Sequence, residues 1–169
     1  RREQHPKTHF VNRAFGAVAL MLAVLVCGCG EPPLVAETAD VDLEGWSSDS
    51  AVTFYWDVQD TLSRHDLILD LRHASTYAYS NMYLFLTYRF PNGKSRIDTV
   101  ECTLADELGR WRGSGFGDLV DQRFMLQPGI QFPLRGRYGL QVMHGMRQDP
   151  IEGMANVGIR LEKSVTSNP

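Results

Sequence analysis

Apolar side chains recur at every second position through most of the chain beyond Ala51, in runs rich in β-branched and aromatic residues, and no stretch of helical length carries an apolar stripe of period 3.6. Successive side chains of a strand point to opposite faces, so each run can bury one face and leave the other to solvent. Val52, Phe54, Trp56 and Val58 alternate with Thr53, Tyr55 and Asp57, and Leu67, Leu69 and Leu71 alternate with Ile68, Asp70 and Arg72. Residues 82–90 are apolar on both faces, which predicts a central strand covered on both sides. Pro91-Asn92-Gly93-Lys94 supplies residues that tolerate positive φ and is followed by a second alternating run over 95–104, so this pair reads as a hairpin. Further strands are expected at 121–126, 137–146 and 157–163, whereas 105–117 fits no strand and reads as a long connection. Seven or more short strands at this spacing predict an all-β fold, a two-sheet antiparallel β-sandwich of jelly-roll type.

The first 28 residues follow a different logic. Arg1, Arg2, Lys7 and Arg13 stand against one acid, Glu3, and lead into an unbroken apolar run over 14–26. Thirteen residues suit the apolar part of an export signal and fall short of the roughly 18 needed to span a bilayer. Val26-Cys27-Gly28-Cys29 then places an aliphatic residue at −3 and a small one at −1 before Cys29, the pattern at which bacterial lipoprotein signals are cleaved and the cysteine lipidated. Cys27 would put Val26 at −1 and fits less well. The chain therefore divides into a lipoprotein signal peptide at 1–28, a lipidated N-terminus and flexible acidic tether at 29–50, and a single β-sandwich domain at 51–169. Within the tether, Pro32-Pro33 and scattered acids argue against packing, while Trp46 and Leu43 either return to the domain edge or lie in solvent.

Charge narrows the function classes. The whole chain has 17 bases and 20 acids, a net −3. Removing the signal takes away four bases and one acid, leaving 13 against 19, or −6. Such a domain is a poor nucleic-acid binder and repels anionic headgroups, so the lipid is expected to hold it at the membrane.

Catalytic chemistry is sparse. Of five histidines, His5 and His9 lie in the signal, and His65, His73 and His144 stand apart without a ligand at metal spacing, so neither metal nor other cofactor is expected. His73 reads as a polar strand end and His144 as half-buried. Gly113-Ser114-Gly115-Phe116-Gly117-Asp118 is neither a dinucleotide loop nor a nucleophile elbow and reads as a tight turn. Asp57 with Asp60, and Asp118 with Asp121, lack the dense ligand spacing of a calcium loop. Cys102 reads as a small buried hydrophobe. A hydrolase would require Asp57, Asp60 and His73 to converge in space. Tyr77, Tyr79, Trp111 and Phe116 are the candidate surface-binding residues, and a glycan-binding module would need such rings exposed in a row on one sheet face.

Several stretches together resemble one family, the gliding-motility lipoprotein GldH of Bacteroidota. They are Tyr55-Trp56-Asp57-Val58-Gln59-Asp60, Leu69-Asp70-Leu71-Arg72-His73, Tyr79-Ser80-Asn81-Met82-Tyr83-Leu84-Phe85, Phe90-Pro91-Asn92-Gly93-Lys94, Gly109-Arg110-Trp111 and the Gly113 to Asp118 turn, with Gly136-Arg137-Tyr138 and Gly158-Ile159-Arg160 following in matching order. The resemblance implies a non-catalytic, lipid-anchored envelope component, expected at the outer membrane. Its expected partners are other proteins of the gliding and type IX secretion apparatus. No catalytic set is known for the family, so no catalytic residue carries over.

Overall fold

In a computed structural model that describes residues 32–164, the chain from Pro33 folds into eight strands, with no helix among the described residues. They are β1 (Val35–Asp40), β2 (Val52–Val58), β3 (Arg64–Ala74), β4 (Asn81–Arg89), β5 (Ser95–Thr103), β6 (Leu119–Gln131), β7 (Gly136–His144) and β8 (Met154–Lys163). One sheet has the order β1-β8-β3-β6 and the other β2-β7-β4-β5, all antiparallel. Strands pair as 1 with 8, 2 with 7, 3 with 6 and 4 with 5, so the chain is a ribbon doubled back at the β4–β5 hairpin and rolled into a jelly roll. The predicted all-β sandwich is the fold found.

The hairpin forms where expected: Arg89 stands opposite Ser95, Gly93 takes φ 78°, and the Phe90 N–H donates to the Lys94 carbonyl at 2.9 Å. β6 is longer than the alternation suggested and runs through Pro128-Gly129. Its register against β3 shifts on either side of Leu67, which accommodates a residue with no N–H to donate, and the Gly129 N–H is taken by Asp66 Oδ1 at 2.8 Å.

Leu67, Leu69 and Leu71 of β3 and Val157, Ile159 and Leu161 of β8 face Leu84, Leu86, Leu140 and Val142 of the other sheet, all essentially without exposure. Burying each such side chain stabilises the fold by roughly 1.5–3 kcal/mol. β4 lies inside its sheet but is not covered on both sides. Met82, Leu84 and Leu86 face the core, and Tyr83 and Phe85 emerge half-exposed, because a two-sheet sandwich has nothing to lay on its outer faces.

Most of the predicted tether is ordered structure. Val35–Asp40 pairs along its whole length with β8, and Trp46 lies in the core at 1% exposure. An edge strand needs few apolar residues because its backbone bonds to a neighbour hold it, and the Trp46 indole N–H is satisfied by the Ser50 carbonyl at 2.7 Å. Cys29 lies outside the described residues.

The topology gives the sandwich two unlike ends. The short-loop end holds the start of β1, the end of β8 and the connections 59–63, 90–94 and 132–135. The long-loop end holds 41–51, 75–80, 104–118 and 145–153.

Candidate docking surfaces

All four candidate surface residues gather at the long-loop end, but they do not form an exposed row. Tyr77 is 4% exposed: its hydroxyl donates to the Asn81 carbonyl at 3.1 Å, and burial raises its pKa well above the phenol range. It is therefore a core residue, and its polar tip is satisfied within the loop. Its ring touches Tyr79 and His73, each with centroids 5.7 Å away. Trp111 meets His73 edge-on at 4.5 Å and donates its indole N–H to the Ser75 carbonyl at 3.3 Å. Tyr79 is half-buried and donates to Gln148 Oε1 at 2.6 Å. These rings tie loop 75–80 to 104–118 and 145–153, leaving only parts of Tyr79 and Trp111 accessible.

Phe116 is the exception, at 98% exposure. The turn that carries it lies flat on the edge of β6, with Ser114 and Asp121 exchanging backbone bonds of 3.0 and 2.8 Å. A Cβ at Gly115 would stand 1.8 Å from the Leu119 carbonyl oxygen, and one at Gly113 would stand 2.3 Å from that of Asp121. Only glycine permits this approach, so Gly113-Ser114-Gly115 seats the turn and thereby covers part of an open sheet edge. The phenyl ring is thrust into solvent from an anchored base. The tight-turn reading holds, and of the four candidate rings Phe116 is the one fully presented to solvent.

The outer face of β2-β7-β4-β5 carries exposed rings, two of them on β4, which the pattern assigned to a covered strand. Tyr83 and Phe85 lie two residues apart on β4, Ile97 projects from β5, and Tyr55 stands out from β2. Gly139 and Gly145 lie beneath two of them: a Cβ would come within 3.0 Å of the Tyr55 ring and 2.9 Å of the Phe85 ring. The Arg137 guanidinium caps Tyr55 at 4.3 Å from its centroid. Tyr83 and Asn81 both engage Glu101, which holds that carboxyl below the usual range and the phenol above it.

The opposite outer face is charged. Asp70 accepts from Arg160 at 2.5 Å and Arg123 at 3.3 Å, and Arg72 grips Asp121 in a bidentate pair at 2.6 and 3.1 Å. Arg112 adds a further cation to the groove beside them.

The groups needed for hydrolysis are dispersed. Asp57 and Asp60 lie near the short-loop end, Asp60 committed to the Leu62 N–H and the Ser63 hydroxyl, whereas His73 sits at the opposite end of β3. His73 is fully buried, not a polar strand end. Its Nδ1 is 2.9 Å from the Ala74 carbonyl, and burial lowers its pKa. His144 is likewise buried, with its ring 5.2 Å from that of Trp46. Cys102 is buried, and burial pushes its thiol up to about 12. Among the described residues no three His, Cys, Asp or Glu converge as a metal site.

The model of the GldH lipoprotein family matches residues 34–161. The chain belongs to the GldH lipoprotein family. It is similar to a gliding motility lipoprotein GldH homolog of Christiangramia forsetii, 33% identical over 126 residues covering 70% of this chain and 78% of that one. It also resembles gliding motility lipoprotein GldH of Flavobacterium johnsoniae, 27% identical over 153 residues covering 86% and 94%. The GldH match runs from just before β1 into the end of β8, so it takes in both sheets, both loop ends and the turn bearing Phe116. Among solved structures, the crystal structure of Yersinia pseudotuberculosis-derived mitogen aligns over 82% of this chain and 92% of that one, with 9% identity and a TM-score of 0.36. That likeness is too remote to bear on function.

Proposed function

We propose that this GldH-family protein is a lipid-anchored, non-catalytic component of the gliding machinery at the outer membrane, acylated at Cys29 and coupled to type IX secretion. It works by docking on other envelope proteins. The observation that carries the docking mechanism is the long-loop end, where a ring cluster locks three connections together and a glycine-seated turn holds Phe116 in water. A fully solvated phenyl on a fixed base costs little ordering entropy to bind and offers a large apolar contact, which is how interface hot spots are built. Membership of the family supports the gliding role and the lipid anchor.

The test is made in the native host. Deletion of the gene is expected to abolish spreading. Phe116→Asp is expected to leave the protein at normal level in the outer-membrane fraction, with spreading reduced several-fold and cross-linked partners lost. Normal spreading and an unchanged cross-linking pattern in Phe116→Asp would refute docking through this end.

The outer face of β2-β7-β4-β5 favours a second reading. Tyr55, Tyr83 and Phe85 supply exposed rings on one sheet face, the arrangement that a glycan-binding module needs. Under that reading, Phe85→Ala rather than Phe116→Asp removes activity, together with oligosaccharide binding measured by titration.

A further inference from the structure

The mature chain is acidic overall, but its charge is polarised along the sandwich. The four connections of the long-loop end carry eight acids and three bases. The three connections of the short-loop end carry one acid, Asp60, and two bases, Lys94 and Arg135. Strand ends beside them add Arg64, Arg89, Arg137 and Lys163 against Asp57, Asp66 and Glu162, so bases still outnumber acids at this end. Three leucines are exposed among these bases. Leu62, at 82%, tips the 59–63 loop, where Asp60 Oδ1 accepts its N–H at 2.8 Å, and Leu34 and Leu134 stand at 41% and 37%.

This is also the end at which the chain enters the domain. Six Cα steps separate Cys29 from Val35, a reach of about 20 Å when fully extended. A nine-residue strand is about 30 Å long, so a lipid at Cys29 holds the short-loop end nearer the bilayer than the long-loop end whenever the strands stand upright.

We infer that the short-loop end is a membrane-docking surface. Leu34, Leu62 and Leu134 enter the headgroup layer of an anionic phospholipid bilayer, and Lys94, Arg135 and their neighbours lie against the phosphates. The inference rests on the lipid-anchor reading above and adds an orientation to it. Exposed aliphatic side chains that share one end of the sandwich with these bases suit an interfacial contact, where apolar area and attraction to anionic headgroups act together. The acidic end is repelled by the same surface and is thereby turned toward soluble partners. A net charge of −6 concealed this, because it averages two ends of opposite character.

The mature, Cys29-acylated chain is reconstituted into vesicles of phosphatidylcholine and phosphatidylglycerol at about 3:1, containing a headgroup-linked quencher. A fluorophore is attached at Asn92→Cys or at Glu107→Cys. Cys102 is buried and Cys29 acylated, so labelling is confined to the introduced thiol. Quenching at position 92 is expected to exceed that at 107 at least three-fold. The combined variant Leu62→Asp, Lys94→Glu, Arg135→Glu is expected to stay vesicle-bound while that ratio falls below about 1.5. Equal quenching at the two positions of the unaltered chain overturns the proposal, and so does a ratio that the triple variant leaves intact. Failure of the acylated chain to float with the vesicles instead overturns the anchor reading beneath it.

Discussion

The two ends of the sandwich solve opposite problems with the same eight strands. At the short-loop end, three tight connections of four or five residues close the strands chiefly by turn chemistry: Phe132 is buried against Trp56 and Tyr138, while Leu62 and Leu134 are left outside. At the long-loop end, connections of six to fifteen residues are pulled into the core by aromatic residues: Trp46 from one loop, Tyr77 from a second, and Trp111 packed on His73 from a third. Long loops stay ordered only if buried contacts offset the entropy of fixing them. Their rings therefore serve the fold, and Phe116, on the same connection as Trp111, is left in water.

The sharpest way to break this comparison is Trp46→Ala. Removing a fully buried indole should cost about 3–5 kcal/mol, read by denaturant unfolding. If the loop is held as described, hydrogen exchange should accelerate in 41–51 and 145–153 far more than in 90–94. A smaller effect is expected from Gly115→Ala, which must lift the turn from β6. A loss of about 1–3 kcal/mol should come with lost amide protection at Ser114 and Asp121, and a fully protected Ser114 would contradict the seating described. The smallest is a pH effect at His73. Its folded pKa lies below the ordinary 6.5, so the unfolded chain binds more protons between the two values. That contribution is fully present above about pH 6.5 and is lost as pH falls toward the lowered folded value. His73→Phe should flatten the slope of stability against pH in that window, and an unchanged slope would place the titration elsewhere.

Local signals were the legible part. The alternation of Val52 to Val58, Leu67 to Leu71 and the β4–β5 hairpin could be read because each strand's pattern and its turn residues are adjacent in sequence. The pairing of Val35–Asp40 with β8 could not, since its partner lies more than a hundred residues away and an edge strand takes its hold from backbone groups that every sequence possesses. The surface rings were misassigned for a related reason. Tyr77 lies in a polar, loop-like stretch yet is buried, because the Asn81 carbonyl receives its hydroxyl. Tyr83 and Phe85 lie in an apolar stretch yet face outward, because an apolar run on β4 does not reveal whether a third layer exists to cover it. Phe116 was legible as one candidate ring among several and its glycine-rich surroundings as a tight turn, whereas the Cβ-sized gaps that make those glycines obligatory depend on the path of β6.

The first strand also bears on how the molecule would carry tension. β1 enters at the short-loop end, and its hydrogen bonds to β8 lie perpendicular to the strands, six residues of ladder from Val35↔Leu161 to Asp40↔Asn156. Under the proposed acylation at Cys29 and docking at the long-loop end, a pull between the two would run lengthwise along that seam. Such a pull would load the ladder's rungs together instead of peeling them one by one, the direction in which a strand pair resists traction best.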